Sequence, residues 1–284
     1  MIKKTFRKIL KKYKMISNYF SSKYGSSQYS KLFSDVEGYC MFIGYPRSGH
    51  SLVGSLLDAH PNMVFAHELD ALKYIRSGFS KDQIYYLILE NSRNFTSTGR
   101  KWRGYSYEVP NQWQGKFRKL RIIGDKKGGR STRRLGADPS LLEVLRRIID
   151  SDIKFIHVIR NPYDNISRIF IRGRVKYESV LAHSIPSYFE LSDTIVNLKK
   201  GMNDKEMLDV RLETLIQDPT ESLGKICAFL GVDASGDYLD DCASIVFKTP
   251  KKSRHDVEWD PESIDEVKRR MRAYPFLKGY SFDS

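Results

Sequence analysis

Cysteine and long apolar stretches are both scarce in this sequence. Three cysteines occur among 284 residues, and they form neither a CxxC pair nor any other metal-ligand spacing. Neither a disulfide framework nor a zinc site is therefore predicted. No window approaches the roughly 18 apolar residues of a membrane span, and Met15 to Tyr24, after the basic start, is too polar for a signal-peptide core. These absences favour a protein that stays in the reducing cytoplasm.

Acidic residues are missing from the first 34 positions, which carry nine basic ones. The whole chain has 48 Lys and Arg against 34 Asp and Glu, a formal net charge of +14, so the remaining 250 residues are only mildly basic at +5. This charge favours anionic partners: a phosphorylated or sulfated small molecule, nucleic acid, an acidic substrate or an anionic membrane surface. No RNA- or DNA-recognition motif is present, so nucleic acid is not predicted as a partner.

The amino-terminal segment, residues 2–20, predicts a basic amphipathic helix, because apolar residues recur at near-helical intervals among lysines. The apolar positions are Ile2, Phe6, Ile9, Leu10, Tyr13, Ile16 and Phe20. Two interpretations stay open: the helix lies peripherally on an anionic membrane, or it is a solvated arm packed loosely on the body. The serine-rich stretch Ser21 to Ser34 predicts a linker. Residues 1–34 are thus expected to form an arm and linker outside the folded body.

From Tyr39 onward, short apolar runs alternate with amphipathic helical patterns, which is typical of βαβ units around a parallel sheet. The predicted strands are Tyr39–Ile43, Met63–Ala66, Leu120–Gly124, Lys154–Ile159 and Met207–Arg211. The predicted helices include Leu52–Ala59, Lys81–Glu90, Pro139–Asp150, Pro186–Lys200, Thr220–Leu230 and Pro261–Tyr274. No repeat and no second core is evident, so residues 35–284 are expected to form one α/β domain with helices flanking a central parallel sheet.

A long irregular insertion, Asn94 to Lys119, interrupts this pattern. It places four aromatic residues among basic ones, namely Trp102, Tyr105, Tyr107 and Trp113. Such a loop is either a substrate lid or a surface Ω-loop, and the sequence leaves both open.

The strand that ends at Ile43 runs into a glycine-bounded turn, Gly44 to Ser51, and then into a helix. A strand, a G-x-x-x-x-G turn and a helix N-terminus together form a cradle whose backbone N–H groups bind phosphate. An NTPase has Lys after the second glycine. Here His50 stands at that position, and the cation lies inside the loop, at Arg47. The pattern predicts a variant phosphate loop and disfavours an ATP-dependent enzyme.

The loop Pro46-Arg47-Ser48-Gly49-His50-Ser51 resembles the P-[KR]-[ST]-G-[ST]-[ST] loop of sulfotransferases that use 3′-phosphoadenosine 5′-phosphosulfate (PAPS), apart from His50. The similarity continues through residues 56–61 to Glu68, where it looks most like the tyrosylprotein sulfotransferase branch, and it covers about residues 39–280. The resemblance implies a P-loop three-layer fold. It also implies that Pro46, Arg47, Ser48, Gly49, His50 and Ser51 bind the 5′-phosphosulfate.

The resemblance implies a catalytic base at Glu68, and the chemistry of sulfuryl transfer suits that residue type. An acceptor hydroxyl loses its proton as it attacks sulfur, while negative charge grows on the oxygen that links sulfur to the 5′-phosphate. Glu68 can take the proton, and Arg47 with the N–H groups of residues 48–51 can stabilise the leaving phosphate. The resemblance further implies that Lys126, with Lys127 as an alternative, stabilises the transition state. A carboxylate that only stabilises a helix N-terminus is the other interpretation of Glu68.

A second phosphate site is implied where an apolar strand ends at Arg160 and is followed by Asn-Pro and a helix. This arrangement is similar to the family's 3′-phosphate site, in which the Arg and a serine early in the next helix bind the phosphate. The serine usually lies eight positions after the Arg, whereas Ser167 is at seven and Arg168 at eight, so either residue can serve. The basic segment before Trp259 is comparable to the family's loop over the adenosine, with the implied phosphate contacts Lys252 and Arg254.

With this resemblance, the sequence predicts a PAPS-dependent sulfotransferase that needs no metal and transfers a sulfuryl group to a hydroxyl acceptor. The acceptor can be a small molecule, a glycan or a lipid, and neither its identity nor the oligomeric state follows from the sequence. A P-loop small-molecule kinase or NTPase with a variant phosphate loop is the alternative. A non-enzymatic binder of nucleic acid or anionic membranes is the third interpretation.

Overall fold

A computed structural model describes residues 2–177 and 181–284 of the chain. Its strands are β1 (Gly38–Gly44), β2 (Met63–His67), β3 (Lys101–Trp102), β4 (Tyr105–Ser106), β5 (Ile122–Lys126), β6 (Asp152–Ile159) and β7 (Met207–Arg211). Five of them form a parallel sheet in the order β2-β5-β1-β6-β7, and β3 pairs with β4 in a separate antiparallel hairpin. The predicted parallel sheet is confirmed, and its strands begin and end within two residues of the predicted bounds.

Helices cover both faces of the sheet. They are α1 (Ile2–Ser27), α2 (Ser30–Ser34), α3 (His50–Asp58), α4 (Ala71–Ile75), α5 (Lys81–Ser97), α6 (Gly128–Ala137), α7 (Leu141–Ile149), α8 (Pro162–Tyr177), α9 (Leu181–Lys200), α10 (Leu212–Gln217), α11 (Pro219–Leu230), α12 (Gly236–Ser244) and α13 (Pro261–Met271). Successive strand residues face opposite sides of a sheet. Tyr39 and Met41 of β1 join a core with α5 to α9. Cys40 and Phe42 join a second core with α3, α11 and α12, which gives the predicted layered α/β architecture.

Local hydrogen bonds fix where several helices begin. Ser80 precedes α5 and forms a capping box with Gln83. Asp218 and Asp260 cap α11 and α13, and each of these helices has proline in its first turn. The three helices therefore start within one residue of their predicted positions.

The predicted linker at Ser21 to Ser34 is wrong. α1 continues through the serine-rich stretch to Ser27, and α2 follows after a short turn. Ser22 is fully buried and accepts a hydrogen bond from Gln83 Nε2 of α5 (3.2 Å). Phe33 of α2 is part of the main core. Composition suggested flexibility here, but small side chains allow two helices to pack closely, so residues 21–34 belong to the folded body.

The insertion is partly regular. α5 extends into it as far as Ser97, and the β3-β4 hairpin follows. Gln114 anchors the remainder, because its Nε2 donates to the carbonyls of Ser55 (3.0 Å) and Tyr107 (2.8 Å). The inner part of the insertion is therefore held against α3, while the hairpin projects from it.

All three cysteines are free and buried, and burial raises the pKa of each thiol. Among the described residues, no helix combines the length and the apolar character needed to span a bilayer. Within the same part of the chain, no cluster of three or more His, Cys, Asp or Glu side chains is arranged to bind a metal ion.

Candidate active site

The carboxyl ends of β1, β2, β5 and β6 meet at a cavity of about 390 Å³. Its lining includes the predicted site residues Pro46, Arg47, Gly49, His50, Ser51, Glu68, Arg160 and Arg168, and also Lys127. A larger cavity of about 790 Å³ lies at the opposite, amino end of the strands, beside His60 and Arg121. It contains none of the predicted site residues, so the smaller cavity is the candidate active site.

The loop between β1 and α3 has the backbone shape of a phosphate cradle. Gly49 has a φ of 100°, and Arg47 has a φ of 74°, which is uncommon for a residue with a side chain. α3 begins at His50, so its first N–H groups have no partner within the helix and favour an anion together with the helix dipole. Asn165 of α8 holds the loop in place by donating to the carbonyl of Pro46 (2.6 Å).

His50 stabilises this loop through contacts of both its ring nitrogens. Its Nε2 donates to the carbonyl of Ile43 (2.9 Å), and its Nδ1 lies 3.1 Å from Ser48 Oγ. Burial lowers the pKa of His50 to about 4, so the ring is neutral. A Cβ at Gly128 would lie 2.3 Å from the ring, so α6 can begin at this place only with glycine. Both ring nitrogens of the residue that departs from the family pattern are therefore engaged within the protein.

Glu68 follows β2 at the cavity, and its carboxylate lies between two lysines. Lys126 Nζ donates to Oε1 (2.8 Å), and Lys127 Nζ donates to Oε2. Lys126 also donates to Ser51 Oγ (3.0 Å), which connects the carboxylate to the phosphate loop. Burial alone would raise the pKa of Glu68, but the two ammonium groups outweigh it and lower that pKa to about 2. Glu68 is therefore ionised at all physiological pH values.

The two lysines differ in exposure. Lys126 is buried, and burial lowers its pKa to about 8 although Glu68 opposes the shift. Its stem runs beside Gly54 of α3, where a Cβ would lie 2.7 Å from Lys126 Cγ. Lys127 lines the cavity. Lys126 is the lysine preferred from the sequence, and the structure brings both lysines to Glu68, with Lys127 on the open side.

An unusual turn presents Glu68 to the cavity. Glu68 and Asp70 both have left-handed backbone conformations, with φ of 65° and 70°. Asp125, the penultimate residue of β5, accepts hydrogen bonds from the backbone N–H groups of Leu69 (3.2 Å) and Ala71 (2.7 Å). Burial raises the pKa of Asp125 to about 7. Asp125 is not among the site residues predicted from the sequence, although a carboxylate within an apolar strand is a signal that could identify it.

Arg160, after β6, connects the phosphate loop with the segment at residues 251–253. Its guanidinium donates to the carbonyl of Arg47 (3.4 Å), to Ser253 Oγ (3.2 Å) and to the carbonyl of Lys251. Lys251 and Ser253 also line the cavity, and neither is among the site residues predicted from the sequence. An irregular basic segment has no periodicity that shows which side chains turn inward.

The other predicted 3′-phosphate contacts lie in different surroundings. Arg168 lines the cavity, whereas Ser167 is fully buried and accepts a hydrogen bond from Trp259 Nε1 (3.0 Å). Arg254 is buried in an ion pair with a carboxylate of α8. Lys252 is exposed and is not part of the cavity lining. The structure therefore brings Arg168 to the cavity with Arg160 and leaves the other three outside it.

Aromatic and basic side chains complete the cavity. The aromatic ones are Trp102, Tyr105, Tyr107 and Phe247, and the further basic ones are Arg103, Arg130 and Arg172. The Tyr105 ring centroid lies 5.7 Å from that of Phe247, so the hairpin meets the segment after α12. Trp113, the other aromatic residue noted in the insertion, lies at the larger cavity instead.

This fold and site define a P-loop α/β protein that carries its cation inside the phosphate loop. A profile described as the sulfotransferase family matches residues 41–236, more than half of the chain, and the chain belongs to that family. Its enzymatic activity is accordingly sulfuryl transfer in general terms. A search of curated proteins finds no significant match.

Two solved structures illustrate the likeness. The sulfotransferase domain from the curacin biosynthetic pathway is 16% identical, with a TM-score of 0.54, and the match covers 84% of this chain and 99% of that one. Sulfotransferase STF1 from Mycobacterium tuberculosis H37Rv is 11% identical, with a TM-score of 0.51, and the match covers 89% and 81% of the two chains. At such identities these structures show the shared fold.

Proposed function

We propose that this enzyme transfers the sulfuryl group of PAPS to a hydroxyl acceptor, with Glu68 as the general base. The observation that carries the proposal is the Glu68 carboxylate, held by Lys126 and Lys127 at the open cavity beside the phosphate loop. A displacement at sulfur needs a base, cations and backbone donors. All three are available within this one site.

The phosphate loop is the proposed site for the 5′-phosphosulfate. The N–H groups of residues 48–51 and the Arg47 guanidinium supply donors and positive charge for it. His50 contributes through its backbone, because its ring nitrogens are already engaged. Pro46 and Ser48 shape the loop rather than carry charge.

Arg160 and Arg168 are the proposed ligands of the 3′-phosphate, because both line the cavity. Lys252 belongs to the segment that Arg160 ties to the phosphate loop and adds positive charge close by. Ser167 and Arg254 are already paired inside the protein, so we assign them a positioning role.

Glu68 becomes an effective base only when Lys126 and Lys127 no longer pair with its carboxylate. With a pKa of about 2, the carboxylate is ionised but a weak proton acceptor. Negative charge growing on the leaving oxygen attracts Lys127 and Lys126 away from Glu68, and the basicity of Glu68 then rises. Movement of the lysines thus couples removal of the acceptor proton to stabilisation of the leaving phosphate.

The acceptor is proposed to lie against the aromatic side of the cavity. Trp102, Tyr105 and Phe247 are exposed there, and aromatic faces pack well against planar or sugar rings. Arg103 and Arg172 suit an anionic group on such an acceptor. A ring-bearing hydroxyl compound, such as an acidic glycan, fits this lining best.

Calorimetric titration tests the cosubstrate. The ligands are 3′-phosphoadenosine 5′-phosphate, the expected product, and 5′-ADP, each with and without Mg²⁺. Metal-independent binding of the 3′-phosphate compound alone supports the proposal. A preference for ADP with Mg²⁺ would overturn it in favour of the kinase alternative.

Substitution Glu68→Gln tests the base. We expect turnover to fall by about 10²- to 10⁴-fold, with the affinity for 3′-phosphoadenosine 5′-phosphate changed by no more than a few-fold. Turnover is measured with radiolabelled PAPS and the best acceptor from a screen. Glu258→Gln, at an exposed position outside the cavity, is the matched control. Normal turnover in Glu68→Gln would show that another group removes the proton.

A further inference from the structure

Helix α1 presents two opposite faces, and only one of them packs on the protein. On the inner face, Asn18 Nδ2 donates to Tyr74 Oη (2.9 Å), and the Tyr19 carbonyl accepts from Gln83 Nε2 (3.0 Å). A Cβ at Gly25 would lie 2.2 Å from Cζ of Tyr86 in α5, so this face is in close contact with α5. The opposite face of α1 takes no part in these contacts.

That opposite face is an apolar stripe. Its members are Phe6, Ile9, Leu10, Tyr13, Ile16, Phe20 and Tyr24, which are between 47% and 75% exposed. At 3.6 residues per turn these positions fall within a sector of about 120°, along about 27 Å of helix. Among the described residues, the other exposed large apolar side chains are Trp102, Tyr105 and Phe247, which are less exposed (36–44%) and line the candidate active-site cavity. Within the part of the chain that the structure describes, the stripe is therefore the one exposed group of large apolar side chains outside the candidate active-site cavity.

Positive charge borders the stripe. Lys12 and Lys23 lie along one edge of it by helical position, and Lys14 lies along the other, and all three are exposed. α1 contains eight Lys and Arg residues and no acidic residue. A second copy of α1 would bring like charges together, which disfavours a dimer through this face. Lysines beside an apolar stripe instead match a surface in which anionic headgroups lie next to acyl chains.

We propose that α1 is an interfacial helix that docks the enzyme onto an anionic lipid bilayer. The apolar stripe lies in the plane of the membrane and enters the boundary between headgroups and acyl chains, while the bordering lysines contact lipid phosphates. The inner face keeps its contacts with α4 and α5, so docking needs no rearrangement of the fold. This inference stands on α1 alone and holds whether or not Glu68 is the catalytic base.

Vesicle flotation of the full chain tests the proposal, with vesicles of pure phosphatidylcholine or with about one-third phosphatidylglycerol. We expect binding to the anionic vesicles, and at least about tenfold weaker binding to the neutral ones. Replacing Tyr13, Ile16 and Phe20 with Gln should weaken binding to the anionic vesicles by at least about tenfold while all charges remain. Thermal unfolding confirms that this variant is folded.

A matched pair of variants tests the lysines. Replacing Lys12, Lys14 and Lys23 with Gln should reduce binding to anionic vesicles at low salt, whereas the same change at Lys116, Lys119 and Lys200, exposed elsewhere, should not. The proposal is overturned if the wild-type chain does not float with anionic vesicles, or if the apolar variant binds as the wild type does. It is also overturned if sedimentation shows that the stripe instead joins two copies of the chain.

Discussion

Lys126 is a buried cation that faces both Glu68 and the phosphate loop, and its pKa of about 8 lies within the working range of an enzyme. In the proposed mechanism only the ammonium form can stabilise the leaving phosphate, so we predict that kcat/KM falls as the pH rises through about 8. Glu68 stays ionised throughout that range. A pH profile of kcat/KM, which reports on the free enzyme, is the measurement.

Two lysine variants serve as controls for this profile. Lys126→Arg keeps its charge at high pH and should remove the decline, whereas Lys127→Arg should keep it. A wild-type profile that stays flat to about pH 10 would contradict the role given to Lys126.

Asp125 holds the turn that presents Glu68, so its replacement is expected to misplace the proposed base. An amide oxygen cannot serve both N–H groups as a carboxylate does, because the amide nitrogen opposes one of them. We predict that Asp125→Asn lowers kcat by up to about 10²-fold and leaves nucleotide affinity nearly unchanged. Steady-state kinetics and calorimetry measure the two effects, with exposed Asp204→Asn as the control. A loss of nucleotide affinity equal to the loss of kcat would instead indicate general damage to the site.

Single residues are predictable from sequence when a short motif ties them to a chemical task. The positions of Arg47 and Glu68 at the cavity are predictable in this way, since a phosphate loop and a strand end place both residues at the same edge of the sheet. The positions of Lys251 and Asp125 are not predictable, because they depend on which way an irregular segment turns and on which loop packs over a strand. Those contacts join residues far apart in the chain, so local sequence patterns do not predict them.

At the scale of elements, a buried ion pair joins α3 to the segment that follows α5. Arg100 Nη1 lies 2.8 Å from Asp58 Oδ2, and both side chains are almost fully buried. Asp58 also accepts hydrogen bonds from Ser92 Oγ and from the N–H of Phe65, so the carboxylate connects two helices and a strand. Removing Arg100 would leave this charge buried without its cation.

We predict that Arg100→Met lowers the free energy of unfolding by about 3–5 kcal/mol, as expected when one partner of a buried pair is removed. Urea unfolding measures the change. Lys225→Met, which breaks an exposed pair with Glu221 on α11, should cost less than about 1 kcal/mol. Equal losses in the two variants would show that burial of the Asp58 pair adds nothing.

Elements are predictable where a repeating pattern is long enough to identify them. The five sheet strands follow from apolar runs, because both faces of a parallel sheet are covered and every position favours an apolar side chain. The end of α1 does not follow, because serine and glycine are typical of linkers as well as of closely packed helices. Only the partner helix α5 distinguishes the two.

For the molecule as a whole, the boundary between arm and body lies within α1 rather than after residue 34. Residues 12–14 are exposed, whereas Ser22 and Phe33 are buried. We predict that deleting residues 2–34 lowers Tm by at least about 6 °C, since loss of one buried phenylalanine already costs about 3–5 kcal/mol. Deleting residues 2–14 should change Tm by less than about 2 °C. Scanning calorimetry of both truncated chains measures the two Tm values. Similar Tm values would contradict a boundary within α1 and would instead place the start of the folded body after residue 34.

The burial of Cys40, Cys227 and Cys242 has a practical consequence for spectroscopy. A thiol that is buried and kept protonated reacts slowly with alkylating reagents, so the folded wild-type chain should take up little label. A cysteine introduced at an exposed position would then be the single fast-reacting thiol, without replacement of the native ones. A polarity-sensitive dye attached at Phe20→Cys would therefore report the immediate surroundings of α1, with little background from the buried native cysteines.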